Sequence, residues 1–322
     1  MKNKILILGK IPPPIGGVTI HVQRLLSRLE SDALSFKFLG STKNIILLIR
    51  ELKNFRALHL HSSSPYYRLL IVLLGEFCNT KTIVTIHGDL GRFNSAFKNT
   101  VDSMAVRFCT LPIVLNKGSY DKAIKLNSKV KLITAFIPPL NRLELSTVIE
   151  DKLSSFSENY QLTFSTNAFN RTIDKNGDEI YGIEMLIPLF TKHSDYALII
   201  SDPSGAYSEY FKDQKITVPI NIHIINYPHS YFEILDRVDV SIRNTSTDGD
   251  PLSIKESLFL GTPVIASNVV SRHSDCILYS RDSLSNDFET IIELLKSHTI
   301  NSPIKDGSIE IFKLYQQFFG NI

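Results

Sequence analysis

Short apolar runs recur along this chain, and amphipathic stretches lie between them. Runs at 5–9, 57–61, 82–86, 112–116 and 130–136 are rich in Ile, Leu and Val, and most lead into Gly, His, Ser or Asn. Runs this short and this apolar read as strands buried on both faces. Residues 18–28, 66–79 and 118–126 repeat apolar positions at three- and four-residue spacing and read as helices. The alternation continues in the second half, with strands at 161–168, 196–200, 222–226, 238–242 and 263–266. Helices are expected there at 231–238, 284–297 and 309–319. Strand and helix in turn over the whole chain predict an α/β protein of doubly wound parallel sheets.

One stretch, 238–270, carries more than pattern. It reads V-D-V-S-I-R-N-T-S-T-D-G-D-P-L-S-I-K-E-S-L-F-L-G-T-P-V-I-A-S-N-V-V: strand, polar loop, helix, glycine turn, strand. Pro251 suits the first turn of a helix, where its missing N–H has no partner to lose. Ile254, Leu258 and Phe259 recur at helical spacing, and Gly261 ends the helix. Such a unit points unpaired backbone N–H groups, here those of Leu252 and Ser253, to the carboxyl end of the sheet. Phosphorylated ligands bind at that edge in α/β folds.

Length then sets the domain count. A chain of 322 residues fits two domains of roughly 150 each. Composition is that of an ordinary soluble protein, and no apolar run reaches the roughly 18 residues of a spanning helix. The first nine residues enter a strand with no signal-peptide pattern, so a cytoplasmic location is expected. Cys78, Cys109 and Cys276 lack metal-ligand spacing and read as reduced structural thiols. Charge is unevenly placed: residues 1–150 hold 21 Lys and Arg against 9 Asp and Glu, a balance of +12, and the remainder balances at −9. The basic half suits an anionic membrane surface, contacted peripherally, or a phosphate-bearing acceptor. No recognition-helix or aromatic-interleaved basic motif points to nucleic acid.

Candidate chemistry sits at strand ends. After the first strand, Lys10-Ile11-Pro12-Pro13-Pro14-Ile15-Gly16-Gly17 forms a stiff loop whose two glycines let backbone approach a ligand. It is not a G-x-G-x-x-G fingerprint, which disfavours a dinucleotide oxidoreductase. His21 follows on the helix and reads as structural. His59 and His61 share one strand face, a pair with no third metal ligand indicated. His61, His87, Asp89 and Arg92 lie where strands give way to loops. Asp248-Gly249-Asp250 has the form of a metal-binding D-x-D, but that motif belongs to a single mixed-sheet domain with no G-x-P-V-I-A behind it. No metal and no other cofactor is expected.

Together these residues resemble the family 4 glycosyltransferases of GT-B fold. Asp248-x7-Glu256 followed by Gly261-Thr262-Pro263-Val264-Ile265-Ala266 is similar to their E-x7-E and G-x-P-V-[IV]-A signature, with Asp in place of the first Glu. Pro13-Pro14-Ile15-Gly16-Gly17-Val18 resembles their P-P-x-G-G-[VI] loop, and His87 falls in their [TV]-x-H position. Tyr181-Gly182-Ile183-Glu184 stands where the family has K-G-[IV]-D, so its pyrophosphate-clamping Lys is replaced by Tyr181.

The resemblance implies two Rossmann-like doubly wound domains facing an interdomain cleft, at 1–140 and 158–305. A linker is expected at 141–157, with a C-terminal helix at 306–322 packing back on the first domain. It implies a retaining, metal-independent transferase moving a sugar from a nucleoside-diphosphate sugar to a glycan or lipid-linked glycan, in surface polysaccharide assembly. His87 and Asp248 would face the transferred sugar, and Glu256 the ribose. Gly16, Gly17, Gly249, Leu252 and Ser253 would line the donor. Arg243 and Arg272 are expected to replace the clamp, and His61, Asp89 and Arg92 to lie on the acceptor side. The rival readings are a GT-B nucleotide-sugar epimerase and a non-catalytic sugar-nucleotide-binding protein.

Overall fold

The computed structural model of the protein describes residues 5–32, 35–174 and 176–319. The chain divides into two units: one runs up to Leu140 and includes the segment from Lys305 onward, and the other runs from Asn141 to Ile304. The N-terminal unit runs β1 (Ile5–Gly9), α1 (Gly17–Ser31), β2 (Phe36–Gly40), α2 (Ile45–Asn54), β3 (Ala57–His61), α3 (Pro65–Phe77), β4 (Lys81–Ile86), α4 (Ala96–Phe108), β5 (Leu111–Val114), α5 (Lys117–Ala123) and β6 (Lys131–Leu132). The C-terminal unit follows with α6 (Thr147–Asn159), β7 (Leu162–Asn167), α7 (Ile183–Lys192), β8 (Tyr196–Ser201), α8 (Ala206–Asp213), β9 (Ile222–Ile225), α9 (Tyr231–Leu235), β10 (Val240–Arg243), α10 (Leu252–Leu260), β11 (Val264–Ser267), β12 (Cys276–Tyr279) and α11 (Leu284–Lys296). Last comes α12 (Gly307–Phe319), which belongs to the N-terminal unit.

Each unit holds one six-stranded sheet, ordered β2-β1-β3-β4-β5-β6 in the first and β12-β11-β10-β7-β8-β9 in the second. Every pairing is parallel. Counted from its own first strand, the second sheet has the dinucleotide-fold order 3-2-1-4-5-6. In both sheets the chain first builds to one side and then returns to the other. The direction switches between β1 and β3 in one sheet and between β7 and β10 in the other.

Strand alternation explains the layers. Ile5 and Ile7 pack with Leu25 and Leu29 of α1 and with Ile311 and Tyr315 of α12. Leu6 and Leu8, one residue out of phase, pack with Leu48 and Leu52 of α2 and Ile71 of α3. In the second sheet Leu198 and Ile200 face α7 and α11, while Ala197 and Ile199 face α6 and α9. Side chains such as Phe190 and Phe288, both fully buried, each stabilise by about 1.5–3 kcal/mol. All three cysteines are free, and burial pushes the Cys109 thiol up to about 12 and Cys276 up to about 11. Buried, protonated thiols of this kind are inert.

Several expectations need correction. The 141–157 linker is largely helix: Ile149, Leu153 and Phe156 of α6 are buried against the second sheet. The run at 130–136 yields only the two-residue β6; Ile133 still donates to the Val114 carbonyl, and Ile133, Ala135 and Phe136 are buried in the core. Phe259, expected on the buried helical face, is 47% exposed, while Ile254 and Leu258 are buried. Pro251 is the cap of α10 rather than its first residue. The elements β2, α2, α4, α8 and β12 were not foreseen.

Candidate functional site

Three neighbouring strands of the second sheet end in polar side chains: Asn167 closes β7, Arg243 closes β10 and Ser267 closes β11. Arg243 bridges the switch point. Its Nη1 donates to the carbonyl and to the side-chain oxygen of Asn167, both at 3.1 Å. Its Nε and Nη2 donate to Asp248 at 2.9 and 3.3 Å. Arg272 reaches the same carboxylate with Nη1 at 2.9 Å. Its Nη2 donates to Thr245 at 2.8 Å and its Nε to the Ser267 carbonyl at 3.0 Å. The Thr245 hydroxyl also donates to Asp248, at 3.2 Å.

The side chains of this knot are 10, 11 and 1% exposed for Arg243, Asp248 and Arg272. Burial alone pushes the Asp248 carboxyl up, but the two arginines outweigh it and hold the carboxyl below its usual value. Burial likewise lowers Arg243, and the Asp248 charge more than restores it. Within the knot itself two guanidinium groups face one carboxylate, a balance of +1 before the buried Glu256 nearby is counted. Buried charge is screened little by salt, so an anion reaching the two guanidinium groups is favoured.

The neighbouring loops are fixed by this arrangement. Tyr181 sets its ring 5.3 Å from the Arg243 guanidinium carbon. Gly182 is left-handed at φ +67°, and a Cβ there would lie 2.1 Å from the Asn244 carbonyl oxygen. Arg171 is spent on Glu184, at 2.7 Å, and stacks on Tyr210. The helix α10 starts after Pro251, which supplies no side-chain cap; the first N–H groups of a helix, here those of Leu252 and Ser253, have no partner within it. Ser253 and Glu256 are buried. Burial pushes the Tyr231 phenol up to about 12, pulled back by Ser165, Ser241 and the Arg243 charge and pushed up by that of Glu256. Glu256 thus shares the neighbourhood of Arg243. Asp250, the second acid of the D-x-D, accepts from Lys255 at 2.5 Å. Gly249 lies between the two acids in the same loop.

The N-terminal unit has its own cluster at the β1/β3 switch point. His61 ends β3 beside Gly9 of β1, and His87 follows β4 directly. His21 comes in from α1. His61 Nδ1 and His87 Nε2 are 3.0 Å apart and share a hydrogen bond. His21 Nδ1 donates to the Ala135 carbonyl at 2.7 Å. His59 bonds to Tyr315 of α12 through Nδ1 and to Thr85 through Nε2. Burial drives all four imidazoles toward neutrality, His21 down to about 4, His59 to about 3, and His61 and His87 well below the usual range.

The remaining candidates of this unit are placed less centrally. Gly16 caps α1 in extended geometry, and its N–H donates to Thr19 at 3.0 Å; neither Gly16 nor Gly17 has positive φ. Asp89 accepts from Asn116 at 2.8 Å. Arg92 is exposed and donates to the Ser63 carbonyl at 3.3 Å. Sequence reading named neither Asn167 and Thr245 as partners of the arginines nor His21 as a member of the imidazole cluster. Position at a strand's carboxyl end was the available signal for Asn167.

No family model and no curated protein matches the sequence. Solved structures do match the fold. HepE of Anabaena in complex with UDP-glucose is 13% identical with a TM-score of 0.67, over 98% of this chain and 95% of that one. A glycosyltransferase from Rickettsia africae is 14% identical with a TM-score of 0.66, over 99% of this chain and 100% of that one. A putative UDP-N-acetylglucosamine 2-epimerase from Listeria monocytogenes is 10% identical with a TM-score of 0.65, over 99% of this chain and 97% of that one. The fold is GT-B: two Rossmann-like units with parallel sheets and flanking helices.

Proposed function

We propose that the chain is a glycosyltransferase that takes its sugar from a nucleoside-diphosphate sugar. The observation that carries this reading is the buried knot at the β7/β10 switch point, in which two arginine forks share the one Asp248 carboxylate. Open α/β sheets take ligands at that place. Breaking the sugar C1–O bond leaves negative charge on the β-phosphate. A preorganised cation with oriented N–H donors lowers the barrier most where charge develops. The arriving diphosphate competes with Asp248 for the arginine forks, and the N–H groups of Leu252 and Ser253 add the α10 dipole.

Released from part of its pairing, Asp248 turns to hydroxyls of the transferred sugar, and Glu256 accepts from the ribose. His87 positions the donor, the role the family 4 resemblance assigns it. Transfer proceeds with retention: the departing phosphate takes the acceptor proton on the same face, with no protein nucleophile and no metal at the diphosphate. The complex of HepE with UDP-glucose supports uridine as the first base to try, and a hexose as the first sugar. The acceptor is a growing glycan, lipid-linked at the inner face of the cytoplasmic membrane in surface polysaccharide assembly. The basic first half would meet that surface peripherally; no described helix is long and apolar enough to cross a membrane.

A thermal-shift screen of nucleotide sugars identifies the donor, since a ligand at 100 times its dissociation constant stabilises by about 2.7 kcal/mol. The donor found is then incubated with a panel of lipid-linked and soluble glycans. Acceptor-dependent release of nucleoside diphosphate with an unchanged anomeric configuration is expected. Isomerised sugar nucleotide formed from donor alone would instead establish the epimerase reading. Donor binding with no turnover on any acceptor would leave a binding protein.

A further inference from the structure

Two buried ring nitrogens in the imidazole cluster have no partner: His21 Nε2 and His61 Nε2. Both residues are 1% exposed. Leaving a buried polar atom unpaired costs about 1–3 kcal/mol, so the two together call for an explanation. His59, in the same cluster, is fully bonded and needs none. The tautomer of His21 follows from its bond to Ala135: a carbonyl only accepts, so Nδ1 carries the proton and Nε2 offers a lone pair. A backbone carbonyl behind the far nitrogen is also how metal-ligating imidazoles are held. One ring nitrogen from each of His21, His61 and His87 lies within 4.8 Å of the others. Tetrahedral zinc with nitrogen ligands at about 2.0–2.1 Å spaces those ligands about 3.3–3.4 Å apart. The rotation that closes this difference must also open the His61–His87 hydrogen bond, since while that bond is kept only one of those two neutral rings has a free lone pair.

We propose that His21, His61 and His87 form a binding site for a divalent transition-metal ion, Zn²⁺ being the species that suits three neutral imidazoles. Neutral imidazole is the form that ligates. Three histidines leave a fourth tetrahedral position open, and half-buried His87 is the side from which an ion enters. The site goes beyond the transfer reading and lies wholly in the N-terminal unit. An ion there would hold the His87 ring, and the two readings are told apart by measuring metal uptake with no donor present.

The test is equilibrium dialysis of the full chain, freed of metal by chelator, against Zn²⁺ near neutral pH with no nucleotide sugar present. One equivalent per chain is expected. His21→Gln and His61→Gln should each weaken binding by more than about tenfold, whereas His298→Gln, in the other unit, should leave it unchanged. The visible spectrum of the Co²⁺-loaded wild-type chain, expected to be that of a tetrahedral nitrogen site, keeps the question open to refutation if a variant misfolds. A folded wild-type chain that takes up no metal would overturn the site, as would uptake equal in all three variants. Neither result bears on glycosyl transfer.

Discussion

Replacing Asp248 by Ala tests the charge arrangement on which the functional reading rests. The change removes the carboxylate that Arg243 and Arg272 share and leaves two buried guanidinium groups facing each other. Breaking a buried ion pair by removing one partner costs about 3–5 kcal/mol. In a unit of 150–250 residues each kcal/mol moves the melting temperature by about 2–4 °C, so the C-terminal unit should melt roughly 6–20 °C lower. Asp248→Asn keeps the shape and should fall between that variant and the wild type. The substitution removes one negative charge from beside the two arginines, so inorganic pyrophosphate should raise the melting temperature of Asp248→Ala more than that of the wild type.

The pH dependence follows from the direction of the shift. The folded pKa of Asp248 lies below its unfolded value, so the stability it contributes is complete above about pH 4 and is lost as pH falls through the folded pKa. Both variants should therefore show a flatter acid limb in calorimetric scans between neutral pH and pH 2. An Asp248→Ala protein that melts with the wild type, and gains no more than it from pyrophosphate, would refute the reasoning.

Three further substitutions probe what holds the two units in shape. Gly182→Ala places a Cβ 2.1 Å from the Asn244 carbonyl oxygen at φ +67°; the left-handed backbone alone costs about 1–2 kcal/mol, so the urea midpoint should fall by more than that term gives. Asp102→Ala strands Arg68, its partner in a pair that is 1% exposed on both sides, and should cost about 3–5 kcal/mol, with Arg68→Met/Asp102→Leu recovering most of it in chemical denaturation. Tyr315→Phe takes the hydroxyl from His59 Nδ1 and should destabilise the N-terminal unit by about 1–3 kcal/mol, read by the same method.

Strand and helix alternation made the layer architecture legible because buried parallel strands are short continuous apolar runs. It failed where residues deviate from that type. The helix α2 begins at an Asn44 cap and has a single buried stripe of Leu48, Glu51 and Leu52, which reads locally as an ambiguous apolar run. The segment holding α6 looked like a linker because its exposed face is polar and charge changes sign across it. The placing of Ser253 and Glu256 on one helix, with Gly261 ending it, was legible because a single local motif holds all three. The partners of the arginines were not. Asn167 meets Arg243 from 76 positions away, and only the strand order brings them together. His21, His61 and His87 are likewise joined by topology, each on a different element, which is why the pair sought along one strand lacked a third member.

That same topology sets the chemistry of each unit against its overall charge. The first 150 residues balance at +12, yet the carboxyl ends of β1 and β3 gather neutral imidazoles. The remainder balances at −9, yet the carboxyl ends of β7 and β10 hold a knot of two arginines on one carboxylate. The contradiction resolves through burial. Exposed charges act through water and are screened within about 8–10 Å at physiological salt, so the acidic surface of the second half adds little at the knot. The Asp248 carboxylate and two arginines sit out of solvent, where their mutual field is felt in full. What a ligand meets at a switch point is therefore decided by the handful of groups that the sheet's order of crossing places there. Two doubly wound parallel sheets can hold a charged knot in one unit and neutral imidazoles in the other.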